Sequence, residues 1–229
     1  MRNSPSSVMF FAAGFGTRMG ALTNSQPKPM IPVAGQPLID HAIAQMAQVD
    51  RKLANLHYRP DALETHLHAR GVQTIREFPD ILETGGGLRN ALPILGDGPV
   101  FTMNTDAVWT GTAAATQLLR AWDPEKMDAL LLLARPSQTR GHTGGGDFEM
   151  DTSGRLTRGR GAVYTGAQII NPIGIDQIAE PAFSLNLLWE KMIARGRLFG
   201  TYHDGLWCDV GHPKGLAIAE DMLAGQRHV

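Results

Sequence analysis

The first apolar run of the chain is short and ends in a glycine-rich turn. Residues 8–13 are apolar and are followed by Gly14 and Gly16. This pattern is typical of a fully buried parallel strand that leads directly into a tight turn. Because glycine has no Cβ, such a turn lets backbone N–H groups approach an anion closely. We therefore expect an α/β protein with an anion-binding turn at the carboxyl end of its first strand.

The following segments alternate between strand and helix patterns. Short apolar runs predict strands at residues 53–56, 72–78, 99–103 and 129–134. Helical periodicity predicts helices at residues 37–49, 88–92 and 112–122. Between the first two of these helices, Asp61 and Glu64 predict a capped helix start, and Gly71 predicts its end. This βα alternation predicts a Rossmann-like three-layer α/β sandwich, with a mostly parallel mixed sheet and helices on both faces.

The second half of the chain has a different pattern. It predicts a hairpin at residues 148–157, a strand at 162–171, a helix between Ser184 and Gly196, and a last helix near Pro213. The sequence contains no repeat and no low-complexity linker. A chain of 229 residues is an ordinary length for one α/β domain. We therefore predict a single domain over residues 1–229.

Charge and cysteine content exclude several classes of protein. The formal net charge is −1, which gives no electrostatic footprint for nucleic acid and no polybasic membrane anchor. The N-terminal apolar run is too short to cross a membrane. Cys208 is the single cysteine, so an intrachain disulfide and a cysteine-rich zinc site are excluded, and we expect its side chain in the core. These features predict a cytoplasmic protein that binds neither nucleic acid nor membrane.

Two cations follow the glycine turn closely. Arg18 and Lys28 offer a planar fork and a compact point charge, which suit different positions along a polyphosphate. Because Lys28 stands between Pro27 and Pro29, we expect its backbone to be extended and stiff. The alternatives are a solvated loop lysine and a surface ion pair for the arginine. A dinucleotide-binding turn is disfavoured, since Met19 occupies the position that needs a third glycine.

Residues 9–43 as a whole resemble the N-terminal signature of the sugar-1-phosphate nucleotidyltransferases. The resemblance continues at residues 83–88, 104–106, 164–166 and 207–211, along nearly the whole chain. Among the branches, the chain looks most similar to the N-acetylmuramate-1-phosphate uridylyltransferases and the mannose-1-phosphate guanylyltransferase-like proteins. The resemblance implies a Mg²⁺-dependent enzyme of nucleotide-sugar and cell-wall biosynthesis. Such an enzyme joins a nucleoside triphosphate, with UTP favoured, to a sugar 1-phosphate and releases pyrophosphate.

The resemblance also implies roles for individual residues. It implies catalytic roles for Arg18 and Lys28. Nucleotide-binding roles fall to Ala12, Ala13, Gly14, Gly16, Thr17, Glu83, Gly86 and Asn104, with residues 83–87 as a glycine-rich loop that faces the base. Contacts with the sugar phosphate fall to Gly146 and Thr165, and the Mg²⁺ ligands are Asp106 and Asp209. From spacing alone, a cap or turn role for either aspartate is equally open, as is a loop-ordering role for Glu83.

The resemblance divides the predicted domain into two halves. Residues 1–134 are the nucleotide-binding half and residues 135–229 the sugar-phosphate-binding half. The choice of base and sugar stays open, including guanosine with mannose 1-phosphate, and the expected assembly is a monomer or a small homo-oligomer. Two other classes compete with the enzyme: a nucleotide-sensing relative that has lost catalysis, and a nicotinamide-dependent oxidoreductase on a similar sheet.

Overall fold

The computed structural model describes residues 4–225 of the chain. The strands in this part are β1 (Ser7–Phe11), β2 (Pro32–Val33), β3 (Gln36–Pro37), β4 (Arg51–Leu56), β5 (Gln73–Arg76), β6 (Val100–Asn104), β7 (Ala107–Trp109), β8 (Ala129–Ala134), β9 (Thr139–Arg140), β10 (Phe148–Met150), β11 (Leu156–Arg158), β12 (Val163–Ile170), β13 (Leu198–Tyr202) and β14 (Trp207–Asp209). The α-helices are α1 (Leu38–Gln45), α2 (Pro60–His68), α3 (Glu83–Leu95), α4 (Ala114–Ala121), α5 (Asn186–Ala194) and α6 (Pro213–Ala224). Short 3₁₀-helices lie at Thr17–Thr23, Lys28–Met30, Pro136–Gln138 and Ile175–Gln177.

Seven strands form the central sheet, in the order β13-β8-β12-β6-β1-β4-β5. Strand β1 is parallel to β4 and β6, β4 is parallel to β5, and β8 is parallel to β13. Strand β12 is antiparallel to both of its neighbours. A parallel pair of strands needs a crossover connection, which is usually an α-helix. No α-helix lies between β8 and β12, in keeping with their antiparallel pairing. The sheet is therefore mixed and mostly parallel, as predicted.

Apolar side chains alternate between the two faces of this sheet. On β1, Val8 and Phe10 pack in one core and Met9 in the other. The first core also contains buried residues of α1, α2 and α4. The second contains buried residues of α3 and α5. Helices thus cover both faces, which confirms the predicted three-layer sandwich.

A separate three-stranded sheet, in the order β7-β14-β9, lies beside the central one. It shares a third, smaller core with α6, and Cys208 is fully buried there, as the sequence predicted. Burial raises the pKa of the Cys208 thiol to about 12, and the nearby Asp209 carboxylate adds to this shift. This thiol is therefore packed and protonated at neutral pH.

The predicted cap of α2 is wrong. The helix follows Arg59, which has a left-handed backbone and makes no side-chain capping bond. Asp61 and Glu64 instead form ion pairs with Arg76 of β5. Because α2 already begins at Pro60, Asp61 lies inside the first turn and is not at the N-cap position.

The predicted glycine-rich loop over residues 83–87 is also wrong, because these residues form the first turns of α3. A Cβ on Gly85 would collide with the ring of Phe183, and one on Gly86 with the carbonyl oxygen of Pro181. These glycines therefore let the 181–183 segment pack directly on the helix. None of the helices in residues 4–225 is long and apolar enough to cross a membrane.

Candidate active site

A buried hydrogen-bond network anchors the turn after β1. The Ala12 N–H donates to Asn55 Oδ1 at 2.9 Å, and Asn55 Nδ2 donates to Glu77 Oε1 at 2.7 Å. The other oxygen of Glu77 accepts the Leu82 N–H at 2.8 Å, just before α3. Both polar side chains are only 3% exposed. The network links the glycine turn to the start of α3, and sequence patterns gave no sign of it because its members lie on three separate strands and loops.

The two glycines of the turn differ in what they permit. Gly16 has φ +65°, and a Cβ there would lie 2.9 Å from side-chain atoms of both Lys28 and Thr23. Only glycine fits this position, since both the backbone conformation and the space exclude a side chain. At Gly14, in contrast, an added Cβ meets no atom within 4 Å. Gly14 thus keeps open space beside the turn.

Lys28 is 8% exposed, which is unusual for a lysine. Its backbone does not extend as predicted: it begins a 3₁₀ turn, and the Ile31 N–H donates to the Lys28 carbonyl at 3.0 Å. The ammonium Nζ lies 2.8 Å from Asp106 Oδ2. The Lys28 side chain therefore lies between Gly16 and the Asp106 carboxylate, and these neighbours hold the cation in a defined position.

Arg18 is exposed and, within the described part of the chain, forms no hydrogen bond or ion pair. Its Nη1 lies 3.2 Å from the position that a Cβ would take on Gly211. The same Cβ would be 2.9 Å from Asp209 Oδ1. Gly211 therefore allows the guanidinium and the carboxylate to approach each other. The guanidinium keeps its donors available for a phosphate.

Asp106 and Asp209 are brought together by β7 and β14. Asp209 lies opposite Ala107 in the antiparallel pair, and the Val210 N–H donates to the Asp106 carbonyl at 2.8 Å. Asp106 follows β6 of the central sheet, whereas Asp209 ends β14 of the smaller sheet. Burial, together with the charge of Asp106, raises the pKa of Asp209, and Lys28 and Arg18 partly offset this.

Two adjoining cavities meet at these residues. The first, of about 210 Å³, is lined by the glycine turn, Arg18 and Lys28. Of the predicted nucleotide-binding residues, it contains Ala12, Gly14, Gly16, Thr17 and Asn104. The second, of about 370 Å³, extends towards β11, β12 and α5. Arg18, Asn104 and Asp106 line both cavities. The arrangement offers a cationic pocket for a polyphosphate that opens into a larger pocket.

Residues 8–190 match the family model described as the MobA-like NTP transferase domain, which is most of the chain. The chain belongs to the MobA-like NTP transferase family. It is 39% identical to the N-acetylmuramate alpha-1-phosphate uridylyltransferase of Caulobacter vibrioides, over 98% of this chain and 99% of that protein. It is 31% identical to the Neisseria meningitidis protein of the same name, over 95% and 98% of the two chains. The predicted family and the nucleotidyltransferase reaction are thereby confirmed.

The crystal structure of HddC from Yersinia pseudotuberculosis complexed with GMP-PN has the same fold as this NTP transferase. The TM-score is 0.75, with 95% of this chain and 99% of that chain covered. The sequence identity is 19%. This similarity supports the Rossmann-like architecture and carries no argument about substrate.

In the NTP transferase, β12 packs against Asn104, which lines both cavities. Gly166 has φ +87°, and a Cβ there would lie 2.7 Å from the Cβ of Asn104, so glycine lets β12 pack on that side chain. Thr165, a predicted sugar-phosphate residue, lines the second cavity, but its hydroxyl donates to the Leu132 carbonyl at 2.6 Å. Its hydroxyl hydrogen is therefore used within the sheet.

Four predicted site residues line neither cavity: Ala13, Glu83, Gly86 and Gly146. Glu83 is exposed and has a left-handed backbone, φ +58°, at the start of α3. A Cβ on Gly146 would lie 2.6 Å from the Arg160 carbonyl, so close packing of two backbone segments explains this glycine. Their binding roles stay predictions.

Proposed function

We propose that this NTP transferase joins UTP to N-acetylmuramate 1-phosphate, forming the UDP-sugar and pyrophosphate. The observation that carries this proposal is the pair of cavities that meet at Arg18, Asn104 and Asp106. Two anionic substrates can then lie end to end beside fixed cations. The likeness to the Caulobacter vibrioides uridylyltransferase over nearly the full length of both chains supports the choice of base and sugar.

The proposed reaction is one in-line displacement. A phosphate oxygen of the sugar 1-phosphate attacks the α-phosphorus of UTP, and the bond from that phosphorus to the bridging oxygen of the β-phosphate breaks. Pyrophosphate leaves with the electron pair of that bond. Because the nucleophile is already an anion, no general base is needed. The protein must align two groups that repel each other and must stabilise the charge that moves to the leaving group.

Lys28 and Arg18 are suited to different parts of this task. The buried ammonium of Lys28 is held by Asp106 at the junction of the cavities, so its charge is in place before the substrates arrive. The exposed guanidinium of Arg18 has free donors and lines both cavities. We assign Lys28 to the α-phosphate region and Arg18 to the β- and γ-phosphates, where its fork can bind two oxygens.

The residues at the junction also fit a magnesium ion. Asp106 and Asp209 supply carboxylate oxygens, and burial together with the negative charge of Asp106 raises the pKa of Asp209. Within residues 4–225 there is no group of three or more potential metal ligands. Two carboxylates suit Mg²⁺, which commonly takes its other ligands from phosphates and water. Bound here, Mg²⁺ would neutralise phosphate charge as a Lewis acid.

The two halves of the chain have separate roles in this proposal. Residues 1–134 supply the turn, both cations and Asp106, and residues 135–229 supply most of the second cavity together with Asp209. We place the enzyme in the cytoplasm, as a monomer or a small homo-oligomer, with no nucleic-acid or membrane partner. UTP as substrate and a single buried thiol are consistent with that compartment.

A substrate panel tests the proposal. Pyrophosphate release is measured with UTP, GTP, CTP, ATP or dTTP, each combined with the 1-phosphates of N-acetylmuramate, N-acetylglucosamine, mannose and glucose. We expect the highest kcat/KM for UTP with N-acetylmuramate 1-phosphate. A preference for GTP with mannose 1-phosphate would replace this assignment with a guanylyltransferase. Nucleotide binding without pyrophosphate release from any pair would indicate a sensing protein.

A further inference from the structure

The second cavity contains a cation that the transfer reaction does not use. Arg158, on β11, lines this cavity together with Asn186 and Trp189 of α5. The two aspartates and Arg18 belong to the phosphate end, whereas Arg158 belongs to the wall formed by the hairpin and α5. A sugar whose phosphate lies at the aspartates would extend its ring and substituents into the rest of this cavity. Arg158 is therefore placed to contact the sugar.

The guanidinium of Arg158 is held in position by several groups. Its Nε donates to Glu190 Oε1 at 2.8 Å, and its Nη2 donates to Asn186 Oδ1 at 2.8 Å. Its Cζ lies 4.7 Å from the centroid of the Phe148 ring and 5.7 Å from that of Trp189. Stacking on aromatic rings and two hydrogen bonds reduce the rotamer freedom that binding would otherwise remove.

These contacts leave one edge of the guanidinium available. An arginine has five N–H donors, and the contacts within residues 4–225 engage Nε and one hydrogen of Nη2. Nη1 has no acceptor in that part of the chain. Both hydrogens of Nη1 and one of Nη2 therefore remain, and guanidinium donors of this kind can bind both oxygens of a carboxylate. A neutral sugar hydroxyl would satisfy only one of these donors.

The other charged groups that line the second cavity leave Arg158 as the group suited to an anion on the sugar. Asp147 also lines the cavity, but it is acidic, and its Oδ2 accepts the Tyr164 N–H at 2.8 Å. His142 also lines the cavity, and its ring centroid lies 6.2 Å from that of Trp207, two residues before Asp209. Glu190 partly neutralises Arg158 but does not line the cavity. Its position on the Nε side does not obstruct the opposite edge.

We propose that Arg158 binds a carboxylate carried by the sugar, and that it makes the enzyme select acidic over neutral sugar 1-phosphates. The inference rests on the proposed function, and it deepens that function by naming the group that is recognised. N-acetylmuramate is N-acetylglucosamine with an added lactyl ether, and this ether carries the carboxylate. Substrates with and without the carboxylate therefore differ in the one group that Arg158 is placed to bind.

The experiment compares these two substrates in three proteins. kcat/KM is measured with UTP and either N-acetylmuramate 1-phosphate or N-acetylglucosamine 1-phosphate, for the wild type, Arg158→Gln and Arg158→Lys. We expect Arg158→Gln to lower kcat/KM for the acidic sugar by roughly 10- to 100-fold, as for the loss of a charge-assisted hydrogen bond, and to change the neutral one little. Arg158→Lys keeps the positive charge but loses the planar guanidinium fork. Its kcat/KM for the acidic sugar should lie between those of the wild type and Arg158→Gln.

The matched control is Glu190→Gln, which removes the negative charge beside Arg158, keeps an amide oxygen that can accept its Nε–H, and does not alter the cavity wall. This variant should keep or increase the preference for the acidic sugar. An equal loss for both sugars in Arg158→Gln would assign Arg158 a structural role and overturn the inference, as would no change for either. A wild type that transfers uridylyl groups without preferring the acidic sugar would also overturn it, leaving the reaction intact. A wild type that uses neither sugar with any nucleotide would contradict the proposed function itself.

Discussion

The ammonium of Lys28 lies 2.8 Å from a carboxylate oxygen of Asp106, although 78 residues separate them in the chain. The pair is at the junction of the two cavities, and the lysine is 8% exposed. Pairing with a carboxylate offsets part of the cost of burying an ammonium group. The contact therefore holds the Lys28 side chain where the two substrates would meet.

Removal of this charge is the first prediction. We expect Lys28→Ala to reduce kcat by about 10²- to 10³-fold, because the developing negative charge loses a preorganised cation. Pyrophosphate release under saturating substrates measures the effect, and circular dichroism confirms the fold.

Lys126→Ala is the matched control for this variant. Lys126 also pairs with an aspartate, Asp123, at 2.9 Å, but its side chain is 72% exposed. An exposed pair contributes little to stability and nothing to the site, so this variant should keep wild-type turnover. Equal activity in both variants would exclude Lys28 from catalysis.

The second prediction concerns the two glycines of the turn. Gly14→Ala has space for its methyl group and an ordinary backbone, so the protein should keep its melting temperature. Because the methyl group would stand in the turn that we propose to bind phosphate, we expect KM for UTP to rise. Gly16→Ala should lower the melting temperature, since its backbone is left-handed and its Cβ would contact Lys28 and Thr23. Similar melting curves for the two variants would contradict this distinction.

The third prediction tests the network under the turn. Asn55→Ala leaves the Ala12 N–H and the Glu77 carboxylate without their partner, which should cost roughly 2 to 4 kcal/mol of unfolding free energy. KM for UTP should rise as well, because the turn loses its anchor. Urea unfolding and steady-state kinetics measure the two effects. Thr116→Ala, which removes an exposed hydrogen bond to Gln48, is the control and should change neither value.

The fourth prediction is a loss of stability in mild acid that depends on His203. The ring is fully buried: Nε2 donates to the Thr110 carbonyl at 2.8 Å, and Nδ1 accepts from Gln117 Nε2 at 2.8 Å. Asp204 is 4.0 Å away. Burial, the main cause, lowers the pKa of His203 below its usual 6.5. If Nδ1 were protonated as well, its hydrogen would point at Gln117 Nε2, which is itself a hydrogen-bond donor.

The sign of the pH effect follows from the lowered pKa. Below about pH 6.5 the unfolded chain binds a proton that the folded chain does not. The contribution of His203 is therefore complete above that pH and is lost as the pH falls below it. Urea unfolding at pH 8 and at pH 5.5 measures this loss. The free energy of unfolding should fall less between the two pH values in His203→Gln than in the wild type. His68→Gln, at an exposed position, should retain the wild-type decrease, and identical profiles in all three proteins would contradict the prediction.

The fifth prediction concerns divalent metal. EDTA should stop pyrophosphate release, and Mg²⁺ in excess of the chelator should restore it, because two carboxylates at the junction need a cation when phosphates bind beside them. Asp209→Asn should require more Mg²⁺ for half-maximal activity, whereas Asp123→Asn, on the surface, should not. Full turnover in excess chelator would contradict the metal requirement, and Lys28 and Arg18 would then be the groups that neutralise the phosphate charge.

Local sequence patterns predicted the helices, most strands of the central sheet and part of the site, but neither β13 nor the smaller sheet β7-β14-β9. The apolar run of β1, the glycine turn and the two cations lie within one short segment, so their proximity in space follows from their proximity in the chain. The hairpin β10–β11 and the helix α6 were predictable for the same reason, since turn residues and periodicity act over a few residues. The glycines of α3 were misassigned because glycine signals a loop locally, whereas here it is required by a distant segment packed against the helix.

Longer-range relationships were decided by the tertiary structure alone. The position of Asp209 beside Asp106 depends on the pairing of β7 with β14, and the anchoring of Ala12 depends on Asn55 and Glu77. Arg158 reaches the second cavity only because the hairpin packs on α5. The sequence by itself determined the charged groups of this transferase, its helical segments and most strands of its central sheet. Which of those groups meet depends on side-chain packing between segments far apart in the chain, and no local periodicity encodes it.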